Sequence, residues 1–345
     1  MVHLHMKGKP YEAGFKWGRQ IFDHGIRLLE QVPFDLDEQR RKFAAACDPF
    51  YQRYCPNVVE EIQGIADGQR ITYASLTTVL YSMYCIQPKH KCTCMIMKND
   101  NAYLLCRNSD FLTSLENLYA NVIYQLDDCF SFQGNTTAFV EIEDGMNEQR
   151  FAIGLTSVYP EMIKPGLNAG MLVRYLLERC HSTKEALEQL KLLPIASAQT
   201  LTMIDGSGHG AVVECDCESM IVLEEPDCLA AVNAFHSKVL KQKRNTSIDD
   251  WHSDLRYETA IEALRNIPAS ALQAYGREVL SGKHGFLCQY DRAAGKDTVW
   301  SVIYDTLNNE ILRCEGNPAR RSFQIDNRDR KNHGEACVLS GNRLQ

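Results

Sequence analysis

The feature that most restricts the fold is a change of periodicity at Cys92. Before it, apolar residues recur at helical spacing. Tyr11 to Gln31 sets Phe15, Ile21, Phe22, Ile26, Leu28 and Leu29 on one stripe. Pro56 suits a helix start and is followed by Val58, Ile62 and Ile65. Leu76, Val79, Leu80 and Met83 predict a further helix that ends before Pro88. From Cys92 onward the pattern is that of strands: Thr93 to Met97, Tyr103 to Arg107, Leu118 to Leu126, Thr137 to Ile142 and Phe151 to Thr156. Asn99-Asp100-Asn101 and Asp144-Gly145 read as turns. Asn168 to Leu193 returns to helix. Gln199 to Ile204, Gly210 to Glu214, Met220 to Leu223 and Leu229 to Phe235 are further strands. Asp249 to Arg265 and Ala269 to Leu280 are helices, and Thr298 to Asp305 with Glu310 to Cys314 forms a last hairpin. The tail from Asn317 reads as irregular. Grouped strands and paired helices, without βαβ alternation, imply antiparallel sheets covered by helices.

Cys92 to Phe111 is the hairpin on which chemistry converges. A thiol stands at its start and the Asp110 carboxylate near its end, so the two can lie side by side. The totals narrow the function. A formal net charge of -7 disfavours nucleic acid as a main partner, since phosphate rewards clustered Lys and Arg. The longest apolar run, Ile71 to Ile86, carries Thr, Ser and Tyr and is too short to span a bilayer. The opening MVHLHMKGKPYEAG has no apolar signal core. The 14 cysteines of a large chain without a signal read as reduced thiols, so the expectation is a soluble cytoplasmic protein. Cys92-x-Cys94 and Cys215-x-Cys217 lack the spacing of a structural zinc site, and neither metal nor cofactor is expected. His3 and His5 read as solvated, and His236 as a residue that could line the site.

A thiol becomes a nucleophile when a base takes its proton. The α-amino group of a chain that begins with cysteine can be that base, with a reference pKa of about 8. Cys92 is internal, so this requires cutting the Lys91–Cys92 bond. An N-to-S acyl shift onto the thiol, followed by hydrolysis, does so.

In these residues and their spacing the chain resembles the isopenicillin-N acyltransferase type of N-terminal-nucleophile hydrolases, with kinship to choloylglycine and penicillin V hydrolases. Lys7-Gly8-Lys9-Pro10-Tyr11-Glu12-Ala13-Gly14 is similar to the family's opening Gly-x-Pro-x-Glu-x-Gly, and Pro56 to Ala66 to its pro-segment helix. Cys92-Thr93 resembles the cleavage-site pair. Asn108-Ser109-Asp110-Phe111 resembles its Asn-x-Asp-Phe, with Asp110 18 positions after Cys92. Lys164-Pro165-Gly166, Val232-Asn233-Ala234-Phe235 and Thr298 to Asp305 continue the likeness.

The resemblance implies an α+β fold, a four-layer αββα sandwich of two antiparallel sheets flanked by helices. Residues 1–91 would be a helical pro-segment, the smaller chain after cleavage, and 92–345 the catalytic segment, both within one globular domain. It also implies roles. Cys92 is the nucleophile, Asp110 holds the freed amine or a water, and Asn233 donates to the oxyanion. Arg107 orients Cys92 or Asp110. Thr156 stands where the relatives tend to carry Asn, so the second oxyanion donor is its hydroxyl or a nearby backbone N–H. The acyltransferase Ser-Arg pair is missing, and Arg292 is the replacement. Lys91 stands where the precursors more often have a small residue. The implied activity is hydrolysis of a linear carboxamide with an apolar acyl part, the acyl pocket built partly from Met162 to Tyr175. Acyl transfer to an amine, or an uncleaved thiol or binding protein, are the alternatives.

Overall fold

The computed structural model describes residues 1–86, 91–225, 229–243 and 248–328. Strand β1 (Val2–Gly8) leads into α1 (Pro10–Asp23), which starts on a proline whose missing N–H costs nothing there. Three helices follow: α2 (Glu38–Tyr54), α3 (Pro56–Gln69) and α4 (Tyr73–Met83). Helices α1 and α3 touch through glycines. A Cβ on Gly14 would lie 2.2 Å from the Glu61 carbonyl oxygen, and one on Gly64 2.2 Å from that of Tyr11. Only glycine allows so close an approach of backbones.

The hairpin then forms from β2 (Lys91–Asn99) and β3 (Ala102–Leu112). Next come β4 (Ala120–Leu126), β5 (Phe132–Thr136), β6 (Asp144–Asn147) and β7 (Ala152–Ser157). Helices α5 (Ala169–Arg179) and α6 (Thr183–Leu190) precede β8 (Gln199–Ile204), β9 (Gly210–Cys215), β10 (Met220–Glu224) and the short β11 (Ala230–Ala231). Helices α7 (Ser253–Arg265) and α8 (Leu272–Leu280) are followed by β12 (Lys296–Asp305), β13 (Glu310–Cys314) and β14 (Gln324–Ile325).

The strands make two sheets, one ordered β1-β4-β5-β6-β7-β8-β9-β10 and the other β11-β2-β3-β12-β13-β14. Apart from the parallel β1–β4 pair, the strand ladders are antiparallel. Side-chain alternation sorts the core into layers. Cys94 and Ile96 pack between the sheets, whereas Met95 and Met97 pack against α7 and α8. The far face of the larger sheet packs on α1 to α6. The result is the four-layer αββα sandwich.

Several local expectations are corrected. Residues 1–91 are not purely helical, because β1 joins the larger sheet beside β4. His3 and His5 lie on that strand and are half-buried, pairing with Glu315 and Gln125. Thr137 to Ile142 is no strand. Its apolar residues turn sharply, with Phe139 at φ 57°, and pack toward α1 through Trp17. The strand is instead Phe132–Thr136, and Asp144-Gly145 lies inside β6 rather than in a turn. Gly145 is needed there because a Cβ would meet Leu177 at 2.8 Å. Leu229 to Phe235 pairs only at Ala230 and Ala231, after which the chain bends. The irregular tail contains β14, and residues from 329 onward fall outside the described part.

Candidate active site

The β2–β3 register decides what surrounds Cys92. Its ladder partner is Ser109, and that of Lys91 is Asp110. Strand alternation therefore puts Cys92, Arg107, Ser109 and Phe111 on the face between the sheets. Lys91, Thr93, Asn108 and Asp110 take the face toward α7 and α8, as the Asn108 Nδ2 bond to the Leu280 carbonyl shows. Thiol and carboxylate are close along the hairpin but lie on opposite faces.

On the inner face, Arg107 is fully buried. Its Nη2 donates to Cys92 Sγ at 2.9 Å and to Glu143 Oε2 at 3.0 Å. Its Nη1 donates to Asp144 Oδ2 at 2.6 Å and its Nε to the Leu155 carbonyl at 3.1 Å. Asp144 also accepts from Trp300 Nε1 and from the Tyr304 hydroxyl, at 3.0 and 2.7 Å. Ser109 Oγ donates to Glu143 Oε2 at 3.2 Å. Burial pushes the Cys92 thiol up to about 12 against the pull of Arg107, so in the intact chain it is protonated.

On the outer face, Asp110 accepts from the Tyr290 hydroxyl at 2.9 Å and from Thr298 Oγ1 at 2.6 Å. Burial raises its carboxyl to about 6, opposed by Arg256 and these two donors. Arg256, on α7, is fully buried and bridges the groups around the Cys92 backbone. Its Nη1 donates to the Cys92 carbonyl at 2.5 Å and to Thr93 Oγ1 at 2.9 Å, and lies 4.0 Å from Asp110. Its Nη2 donates to Asn233 Oδ1 at 3.0 Å. The same Asn233 oxygen accepts the backbone N–H of Cys92 at 2.9 Å, while Asn233 Nδ2 donates to the Ser157 carbonyl at 2.8 Å. Glu214 orders the loop beyond Asn233 by accepting the backbone N–H groups of His236 and Ser237, at 2.5 and 3.0 Å. The His236 ring stacks on Tyr257 with centroids 3.4 Å apart.

Cys92, Arg107, Asp110 and Asn233 are thus brought together. Thr156 lies between Leu155 and Ser157, whose carbonyls receive Arg107 and Asn233. It faces inward, and its buried hydroxyl has no hydrogen-bond partner. Lys91 is only 6% exposed; burial, then Arg256, lowers its ammonium pKa. Arg292 stands apart. Its guanidinium is half exposed and pairs with Glu116 at 2.5 Å and Asp297 at 3.0 Å, with no contact to the Cys92 cluster. Sequence reasoning missed Arg256, Glu143, Asp144 and Tyr290. Among the described residues, no group of three His, Cys, Asp or Glu side chains could hold a metal ion.

An apolar cavity of about 150 Å³ opens beyond Phe111, lined by Trp17, Ile21, Leu28, Phe34, Tyr119 and Phe139, among others. Thr137, on its wall, donates to Glu143 Oε1 at 2.5 Å and so connects it to Arg107. Its lining includes none of Met162 to Tyr175. Met162 is half exposed, and Met171 and Leu172 belong to the core.

Two sheets between helical layers, with a thiol at the start of a central strand and an arginine on its sulfur, define the class as an N-terminal-nucleophile fold. The family of acyl-coenzyme A:6-aminopenicillanic acid acyl-transferases matches residues 96–320, and the chain belongs to that family. The match begins just past Cys92. No curated protein matches the sequence. A variant of the conjugated bile acid hydrolase from Clostridium perfringens shares the fold with a TM-score of 0.51 at 13% identity, over 73% of this chain and 100% of that one. Penicillin V acylase from Agrobacterium tumefaciens is similar with a TM-score of 0.48 at 15% identity, over 65% of this chain and 82% of that one. Among the described residues, no helix is long and apolar enough to cross a membrane.

Proposed function

We propose that this protein is a self-processing thiol amidase. Cys92 cuts the bond that precedes it, then hydrolyses a small linear amide through an acyl-thioester. The observation that carries this reading is the pairing around one residue. Arg107 holds the Cys92 sulfur at 2.9 Å, and Asn233 holds its nitrogen at 2.9 Å. Both atoms that an N-terminal nucleophile uses are therefore fixed.

In the cleaved enzyme the α-amino group takes the thiol proton, and the thiolate attacks the amide carbon. Asn233 Oδ1 keeps the amine beside the sulfur. Asp110 lies behind it as the carboxylate that compensates an ammonium, coupled to it through Arg256. The partnerless Thr156 hydroxyl is the group available to donate to the oxyanion; one such donor is worth on the order of 3 kcal/mol of barrier. The leaving amine takes the proton back, and water releases the acid. The cleaved segment 1–91 stays in place, because β1 lies in the larger sheet and α1 to α4 build its outer layer.

The apolar cavity supports an apolar acyl part, since cavities of about this volume stay dry and accept a benzene-sized group. Acyl transfer onto an amine is the second reading, favoured by the family to which the chain belongs. The described cysteines are all free thiols, which supports a reducing compartment such as the cytoplasm. A screen of N-acyl amides that monitors amine release tests the reading. Turnover should require Cys92, and added amine should divert the acyl group if transfer dominates. Failure of every amide to turn over would remove the enzyme assignment.

A further inference from the structure

Self-processing poses a problem of its own. Before cleavage the nitrogen of Cys92 is an amide and cannot serve as a base, yet the thiol must lose its proton. The charged groups that act on that thiol include Arg107, Glu143, Asp110 and Arg256. Two of these are carboxylates. Asp110 points to the outer face, where Tyr290 and Thr298 hold it. Glu143 lies on the inner face with the sulfur. The guanidinium nitrogen that donates to Cys92 Sγ at 2.9 Å also donates to Glu143 Oε2 at 3.0 Å.

Ser109 stands across the ladder from the thiol. It is the direct ladder partner of Cys92, so the two side chains share the inner face with Cβ atoms about 4.5–5.5 Å apart. Its hydroxyl donates to the same Glu143 oxygen at 3.2 Å. A hydroxyl that already donates to a carboxylate keeps its lone pairs for an incoming proton. Thr137 and Tyr84 donate to the other Glu143 oxygen, at 2.5 and 3.3 Å, which gives a buried anion the donors it needs.

We propose that Ser109 and Glu143 form the proton relay that cuts the Lys91–Cys92 bond, acting before the α-amino group exists. This rests on the self-processing reading above. Ser109 Oγ takes the proton of the Cys92 thiol as it passes its own to Glu143 Oε2. The thiolate attacks the Lys91 carbonyl carbon and forms the C–S bond. The tetrahedral oxyanion then collapses to a carbonyl as the C–N bond breaks. The proton on Glu143 returns through Ser109 to the Cys92 nitrogen, which leaves as a free amine. The product is a thioester between Lys91 and Cys92 Sγ, and water hydrolyses it to a Lys91 carboxyl and the thiol. No oxidant, reductant or metal enters the balance.

The test follows the cleaved fraction of freshly purified full-length chain by intact mass over time. Ser109→Thr keeps a hydroxyl and Ser109→Val has the same shape without one, so the pair separates proton transfer from packing. The relay predicts that Ser109→Thr cleaves within a few fold of wild type. Ser109→Val should be slower by about 100-fold or more, the usual range for loss of a positioned base. Thermal unfolding of both variants shows whether the site accepts the added methyl groups. If it does not, Ser109→Ala against wild type provides the same contrast. Glu143→Gln should slow cleavage comparably. Cleavage of Ser109→Val as fast as Ser109→Thr, or of Ser109→Ala as fast as wild type, overturns the relay and leaves self-processing intact. A wild-type chain that stays whole removes the self-processing reading and the relay together.

Discussion

The two faces of the β2–β3 hairpin differ in kind. The inner face holds Arg107 on two carboxylates, with the sulfur and the Leu155 carbonyl as its other contacts. The outer face holds Arg256, whose fork reaches backbone carbonyls and the Asn233 oxygen, with Asp110 only 4.0 Å away. Each arginine is fully buried. One is anchored by charge and the other mostly by neutral oxygens. The difference teaches that the reactive residue is split along its own backbone. Its sulfur is held from between the sheets by Arg107, and its nitrogen by Asn233, which ties Arg256 of α7 to the Ser157 carbonyl of the larger sheet. In the proposed reading, cleavage at Lys91–Cys92 is what turns that nitrogen into a base for the sulfur beside it.

The largest effect should come from breaking the inner face. Arg107→Met leaves Glu143 and Asp144 buried without their cation, which costs about 3–5 kcal/mol of stability. Denaturant unfolding should show this, and the variant should neither cleave nor turn over. The outer face is sharpened by Arg256→Lys. An ammonium keeps the charge but cannot make the fork. Loss of one charge-assisted bond predicts a fall of about 10- to 100-fold in turnover per cleaved chain, with a smaller change in stability.

Asp110 gives a pH signature confined to the outer face. Its carboxyl is raised from 3.8 to about 6, so the folded protein binds this proton more tightly than the unfolded chain. That contribution is fully present below about pH 4 and is lost as the pH rises through about 6. Asp110→Asn should therefore gain stability relative to wild type between pH 4 and pH 8, on the order of 3 kcal/mol. Turnover by the wild type should rise through about pH 6, as the carboxylate forms, and the variant should lack that step. The smallest effect is expected from Arg292→Ala. Its partner Asp297 also binds Arg320 and Asn317, and Arg292 is half exposed. A stability loss below about 1 kcal/mol and unaltered turnover are the outcomes to check.

The hairpin was legible because its signals are local. Alternating apolar residues and Asn99-Asp100-Asn101 define two strands and a turn, as found. Strand grouping indicated antiparallel sheets covered by helices, and the family resemblance supplied the αββα layer order. What escaped depends on contacts far apart in the chain. Arg256 and Arg265 look alike in the sequence of α7, yet one is buried under Cys92 and the other is exposed. Asp144-Gly145 read as a turn and Glu143 carried no signal, whereas burial against Arg107 makes Glu143 and Asp144 paired carboxylates at the start of β6. Arg292 was chosen by its position before β12, but that position lies at the surface beside Glu116. The opposite orientations of thiol and Asp110 were implicit in the hairpin, since a one-residue difference in register exchanges faces.

The central claim is that Cys92 acts as the first residue of its chain. Intact mass of the purified protein, with the sequence of each fragment's amino terminus, tests it most directly. The account predicts fragments 1–91 and 92–345 from the wild type, held together until denatured, and an uncut chain from Cys92→Ala. A wild-type chain that remains whole while it turns over an amide, or a Cys92→Ala chain cut at the same bond, would contradict it.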